Sequence, residues 1–231
     1  MEQTLKVTNV LSDPTRYHIY QYMIEHHKVV NVSEIAKQFK IHPNVARLHL
    51  SKLEDVSMIV SYSEKTGRGG RPSRLYRLSD KVIELNFPHR DYKLLSSIVI
   101  ESLAEMGETG KQALYATGEK YGRQIINNYQ QVNNLTINDK IRILEDASTM
   151  LGMYSNFIYV EEENCVKFDV NNCPFKEIAT NNPEMICKMH HAFLKGMFEV
   201  LFESIDLIEE NNIFVNGCEN CSYRANLQAN N

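Results

Sequence analysis

Apolar residues recur at helical spacing in two short stretches near the start of the chain, switch to alternation, and then return to long helical stretches. Asp13-Pro14-Thr15-Arg16 reads as a helix start, with Asp13 as N-cap and Pro14 in the first helical position. Tyr17, Ile19, Tyr20, Met23 and Ile24 give that helix its apolar positions, and it is expected to end near His26-His27. Ile35, Ala36 and Phe39 predict a second, short helix capped by Ser33, with Lys40-Ile41-His42 as the turn after it. Pro43 opens a third helix in which Val45, Leu48, Leu50 and Leu53 are expected inward, leaving Asn44, Arg47, His49, Ser51 and Lys52 outward or at the flanks. Met58 to Tyr62 and Leu75 to Leu78 then read as two strands. They enclose the glycine-rich basic tip Thr66-Gly67-Arg68-Gly69-Gly70-Arg71-Pro72-Ser73. This order predicts a winged helix-turn-helix.

Beyond it, Leu94 to Asn128 reads mainly as helix, interrupted at Gly107 and Gly110, and Asn138 to Leu151 as another helix. Phe157 to Val160 and Val166 to Val170 flank Glu161-Glu162-Glu163-Asn164 and predict a hairpin, with the three glutamates as its solvated tip. A helix from about Pro183 to Glu210 and a short tail carrying Cys218 and Cys221 complete the pattern. The expected fold class is α+β: an N-terminal winged helix-turn-helix, then a helix-rich α/β domain with a small hairpin and a cysteine site. The expected boundaries are 1–81 for DNA binding, 82–135 for a helical linker and dimerisation region, and 136–231 for a cysteine-containing sensor domain.

Charge sharpens this division. Residues 1–81 carry 13 Lys and Arg against 8 Asp and Glu, whereas residues 82–231 carry 12 against 21. A basic module joined to an acidic one suits a nucleic-acid reader with a separate sensing or pairing domain. At 231 residues and 43% hydrophobic content, the chain is long enough for two ordinary domains. It has no apolar run of about 18 residues, and Met1-Glu2-Gln3 leads into a polar stretch rather than a signal sequence, so no membrane span is expected and the cytoplasm is the expected compartment. There the five cysteines are expected as thiols that bind metal or pack in a core, not as a disulfide framework.

The candidate DNA contacts follow from chemistry. An α-helix fits the major groove, which is about 12 Å wide, and there Asn pairs with adenine and Arg with guanine edges, so Asn44, Arg47, His49 and Lys52 are the candidate readers. Arg68, Arg71 and Arg74 on the wing suit phosphates or a minor groove. Double-stranded DNA is the expected partner. Because one helix and one wing cover a single half-site, a homodimer on an inverted repeat is expected, paired through the stretch from Leu94 to Tyr129 with Ile98, Leu103 and Met106. No glycine-rich phosphate loop, Gly-x-Ser-x-Gly or His-Glu-x-x-His occurs, and the chain is not expected to be an enzyme.

Cys173, Cys187, Cys218 and Cys221 form the second constellation. Thiolates are soft ligands for zinc or iron–sulfur clusters, and Cys218-x-x-Cys221 places two sulfurs on one turn, while Cys173 and Cys187 must be brought together by the fold. His190 or His191 could replace one thiolate, and Cys165, inside an alternating strand, is read as a packing residue. The competing reading is a regulator whose Tyr- and Phe-containing C-terminal domain takes a small apolar effector, the cysteines being incidental.

Residues 1–80 resemble the ArsR-like winged helix-turn-helix repressors, through Leu11-Ser12-Asp13-Pro14-Thr15-Arg16 and the wing from Gly67 to Leu78. The whole chain resembles the SufR-type iron–sulfur repressors, through Cys173-Pro174-Phe175, Cys187 and a late Cys221 before Ser222-Tyr223. That resemblance implies a homodimeric repressor whose cluster occupancy controls DNA binding, with Cys173, Cys187 and Cys221 at the family's recurring cysteines. A further family cysteine upstream or near the first is not matched at its spacing; Cys165 lies too far upstream, and Cys218 is the available substitute. The cofactor therefore stays open between a [4Fe–4S] cluster, a [2Fe–2S] cluster and zinc.

Overall fold

Asp13 accepts the backbone N–H of Arg16 at 3.0 Å, and Pro14 follows it at the first helical position, so the expected helix start is realised. In the computed structural model, which describes residues 2–64, 73–85, 88, 90–129, 135–218 and 220–228, the chain forms two units, residues 1–90 and 91–231.

The first unit runs α1 (Glu2–Leu11), α2 (Pro14–Glu25), β1 (Val30–Asn31), α3 (Val32–Phe39), α4 (Pro43–Asp55), β2 (Ile59–Glu64) and β3 (Ser73–Leu78). Asn31, not Ser33, caps α3: its side chain accepts from the Glu34 N–H, and the Glu34 carboxylate accepts from the Asn31 N–H at 2.9 Å, a complete capping box. Lys40 takes the left-handed turn conformation at φ 54° between α3 and α4. β2 and β3 pair antiparallel from Ile59 opposite Leu78 to Glu64 opposite Ser73, and β1 adds a short third strand on the far side of β3. Val7, Ile19, Met23, Ile35, Ala46, Leu50, Leu53, Ile59 and Tyr76 fill one core beneath these elements. α1, which the expected pattern lacked, supplies Val7 and Val10 to it.

The phase of α4 differs from the expectation. Ala46, His49, Leu50 and Leu53 face the core, and Val45 and Leu48 face outward. The chain carries two apolar stripes on this helix, and the core accepts the one formed by Ala46, Leu50 and Leu53.

The second unit runs α5 (Tyr92–Glu105), α6 (Glu108–Asn127), α7 (Ile137–Met150), β4 (Asn156–Val160), β5 (Cys165–Val170), α8 (Lys176–Ala179), α9 (Pro183–Phe202), β6 (Ile205–Asn211) and β7 (Cys221–Leu227). The strands form one antiparallel sheet in the order β4-β5-β7-β6, with a single 3-10 turn at Glu161–Glu163 in the expected hairpin. Phe157, Phe168, Phe198 and Tyr223 stack along the interior, Phe168 lying 5.2 Å from both Phe198 and Tyr223. α6 and α9 pack with their backbones close: a Cβ on Gly122 would fall 1.9 Å from the Phe193 carbonyl oxygen, and one on Gly196 2.2 Å from that of Glu119. Arg123 of α6 ties the same pair together by ion pairs to Glu119 and to Glu199 of α9.

Two expectations are corrected here. The last helix stops at Phe202, where Glu203 turns to φ 60°, and residues 205–211 form a strand in which Ile205 and Leu207 are buried and Asp206 is exposed. The segment from Cys221 is not a tail but an inner strand, with Cys221, Tyr223 and Ala225 turned into the core. A strand with two small core residues carries too weak an apolar alternation to be conspicuous in the sequence.

Candidate functional site

Recognition-helix chemistry begins at the cap of α4, where the His42 ring nitrogen accepts the Asn44 N–H at 3.2 Å and Pro43 sets the first turn. Asn44 and Arg47 are exposed one turn apart, and Arg47 Nη1 donates to Asn44 Oδ1 at 3.3 Å, so the two candidate readers orient each other. Lys52 extends the same face, 3.7 Å from Asp55 Oδ2 and half-exposed. His49 does not belong to it. Its side chain is buried, with Nδ1 3.9 Å from the Asp13 carboxylate of α2, and it joins α4 to α2 instead of facing outward.

Arg74 on β3 is turned toward its own unit: Nη2 lies 2.7 Å from Glu54 Oε2, Nε donates to Ser61 Oγ at 2.9 Å, and the guanidinium lies 5.4 Å from the centre of the Tyr76 ring. Ser61 in turn donates to Glu54 Oε1 at 2.6 Å, so this cluster fastens the wing strands to the end of α4. Between wing and helix lies a cleft of about 450 Å³ lined by Asn31, Ser33, Arg47, Ser73, Arg74 and Tyr76. The Arg47 guanidinium and the Ser33 and Ser73 hydroxyls on these walls are donors of the kind a phosphate backbone takes, whereas the Arg74 guanidinium is already engaged by Glu54. Arg68 and Arg71 lie outside the described residues. Val45 and Leu48, expected inward from the sequence, are exposed on this face, and the available signal was that Ala46, Leu50 and Leu53 already complete a core stripe at helical spacing.

The second unit assembles the thiols. Cys173 lies just after β5, Cys187 in the second turn of α9, Cys218 in the loop before β7, and Cys221 opens β7 opposite Val170. Burial pushes the Cys173 thiol up to about 12, and the neighbouring thiols of Cys221 and Cys187 add to the rise. Burial likewise raises Cys221, with Glu209, Cys187 and Cys218 adding to it. Burial raises Cys187 as well, against a hydrogen bond from the Asn212 side chain that favours its thiolate. Cys173, Cys187 and Cys221, drawn from three parts of the chain, thus feel one another electrostatically, and Cys218 is coupled to Cys221.

Cys165 is separate: it is buried one residue out of phase with the core-facing Val166, Phe168 and Val170, and its electrostatic neighbours are Glu163, Lys167 and Arg224. Of the two histidines, His190 faces the thiols, its Nδ1 3.8 Å from Cys173 Sγ. Its Nε2 is buried without a hydrogen-bond partner, and burial lowers its pKa to about 4. His191 points elsewhere, with Nε2 2.9 Å from the Leu207 carbonyl oxygen. Among the described residues, no three His, Cys, Asp or Glu side chains already stand in an arrangement that would hold a metal ion.

Residues 11–62 match a family described as a helix-turn-helix domain, the segment from the end of α1 through most of β2. No curated protein matches the chain. Fold and match agree on a winged helix-turn-helix unit of the kind found in DNA-binding transcriptional regulators. No helix among the described residues is long and apolar enough to cross a membrane.

Proposed function

We propose that the protein is a homodimeric transcriptional repressor whose operator binding is governed by a cysteine-ligated iron–sulfur cluster or zinc ion in the second unit. The observation that carries this reading is the electrostatic coupling of Cys173, Cys187 and Cys221, with Cys218 beside Cys221 and His190 against Cys173, while Cys165 is set apart among Glu163, Lys167 and Arg224. The donor set fits such a group. Four thiols are soft ligands, and the raised pKa values of Cys173, Cys187 and Cys221 are what uncompensated burial gives and what a bound cation reverses by favouring the thiolates. Cys173, Cys187, Cys218 and Cys221 would hold the group, with the ring of His190 beside Cys173 as a further nitrogen donor. When bound, it would supply cross-links between chain segments and a centre sensitive to oxidant or metal supply. The resemblance to the SufR-type repressors points the same way.

The chain's own residues explain how the site would be felt elsewhere in its unit. Cys187 and His190 stand on α9, and α9 is keyed to α6 by Gly122 and Gly196, so a shift of α9 cannot leave α6 in place. The aromatic side chains that an apolar effector would need are spent on one another: Phe157, Phe168, Phe198 and Tyr223 are buried in mutual stacks.

Anaerobic purification followed by iron, sulfide and zinc analysis tests the proposal. Wild type is expected to carry stoichiometric metal, Cys187→Ser to lose it and to change operator affinity by about 1–3 kcal/mol, and Cys165→Ser to retain both. Full metal content and unchanged operator binding in Cys187→Ser would overturn it.

A further inference from the structure

Val45 and Leu48 are the large apolar side chains left outward on α4, 40% and 56% exposed. They are not overflow from a crowded core, since Ala46, His49, Leu50 and Leu53 already fill the inward stripe. Nor do they sit on an otherwise apolar surface: Asn44 and Lys52 stand four residues to either side of Leu48, and the exposed Arg47 adjoins it in the chain. A leucine between an amide and two cations faces a surface that is polar and anionic yet offers an apolar contact. The major groove of DNA has that composition, phosphates along its walls and the C5 methyl of thymine projecting from its floor.

We infer that Leu48, with Val45 beside it, reads thymine methyl groups, and that each operator half-site carries a required thymine next to the base contacted by Arg47 or Asn44. This rests on the DNA-binding reading of the first unit and names the chemistry of the sequence it takes. The cations supply the approach to the backbone, and the cleft between wing and helix, with Ser33, Ser73 and Arg47 on its walls, lies at the edge of the same face. Because both side chains are exposed, shortening them removes no core contact. Leu48→Ala therefore changes recognition and leaves the fold intact.

The test uses the full-length protein and duplexes enriched from a random-sequence pool, with each half-site thymine replaced singly by deoxyuridine, which pairs identically but lacks the methyl. At one or more positions per half-site, wild-type affinity is expected to fall about fourfold, the worth of one buried methyl. Leu48→Ala is expected to bind the thymine and uracil duplexes equally there, with nonspecific binding unchanged and its preference at the Arg47 position retained. Wild-type protein indifferent to every replacement, or a Leu48→Ala protein as sensitive as wild type, overturns the inference while leaving DNA reading in place. A pool that enriches no sequence overturns DNA reading itself, and this inference with it.

Discussion

Arg47, Lys52 and Arg74 are all cations near the groove-facing surface, yet their surroundings assign them different work. Arg47 is held by Asn44 at the second turn of α4, where under the DNA-binding proposal its guanidinium would meet base edges, and Arg47→Ala is expected to cost about 1–3 kcal/mol and to relax preference at one base position. Lys52 is a flexible half-exposed charge, so Lys52→Ala is expected to weaken binding to all sequences alike and to flatten the salt dependence by about one unit. Arg74 is already neutralised by Glu54 and braced by Ser61, and Arg74→Ala is expected to lower the melting temperature while leaving the salt slope unchanged. Titration of affinity against salt for the three variants separates these roles. His49, with the same sequence credentials as Arg47, is removed from the set by burial against α2.

At the scale of elements, caps decide where helices begin, and they carry the pH dependence. A backbone hydrogen bond from Arg16 holds the Asp13 carboxyl below its ordinary value, and a side-chain hydrogen bond from Thr136 does the same for Asp139 at the start of α7. A carboxyl with a depressed folded pKa binds fewer protons in the native state, so its contribution is complete above the ordinary carboxylate range and is lost as pH falls through it. The melting temperature is therefore expected to drop on acidification below about pH 4, and the gap between wild type and Asp139→Asn to close there. Much of this local structure was legible, since Asp13-Pro14 and the Gly107 break announce themselves in the sequence. Asn31 was not, because its box partner Glu34 is recognisable only once the helix is known to start at Val32.

At the scale of the molecule, α5 bears on assembly. Tyr92, Leu94, Leu95, Ile98, Val99 and Met106 are exposed along it, whereas Leu103, expected on the same surface, packs within its own unit near Ile100. A second copy covering this face would satisfy both the exposed apolar area and the need for two half-sites. Ile98→Glu is expected to convert the protein to monomer in sedimentation at micromolar concentration and to weaken specific more than nonspecific DNA binding, with the first unit's helical signal unchanged. A wild-type protein that is monomeric both free and on DNA would refute the pairing.

The sequence by itself determined the helix-turn-helix and the wing strands of the first unit, though not α1 or β1, together with the hairpin at Glu161–Glu163 and the separation of basic and acidic halves, because caps, turns and periodicity act over a few residues. It could not choose between the two apolar stripes of α4, since each has helical spacing and only packing against α2 and the wing tells them apart. Nor could it show that the last strand runs between β5 and β6, or that Cys173, Cys187 and Cys221 are coupled to one another. Those facts belong to pairings between segments about 50 to 60 residues apart, as Val170 with Cys221 and Cys165 with Asn226 show, and chain-local chemistry carries no record of them.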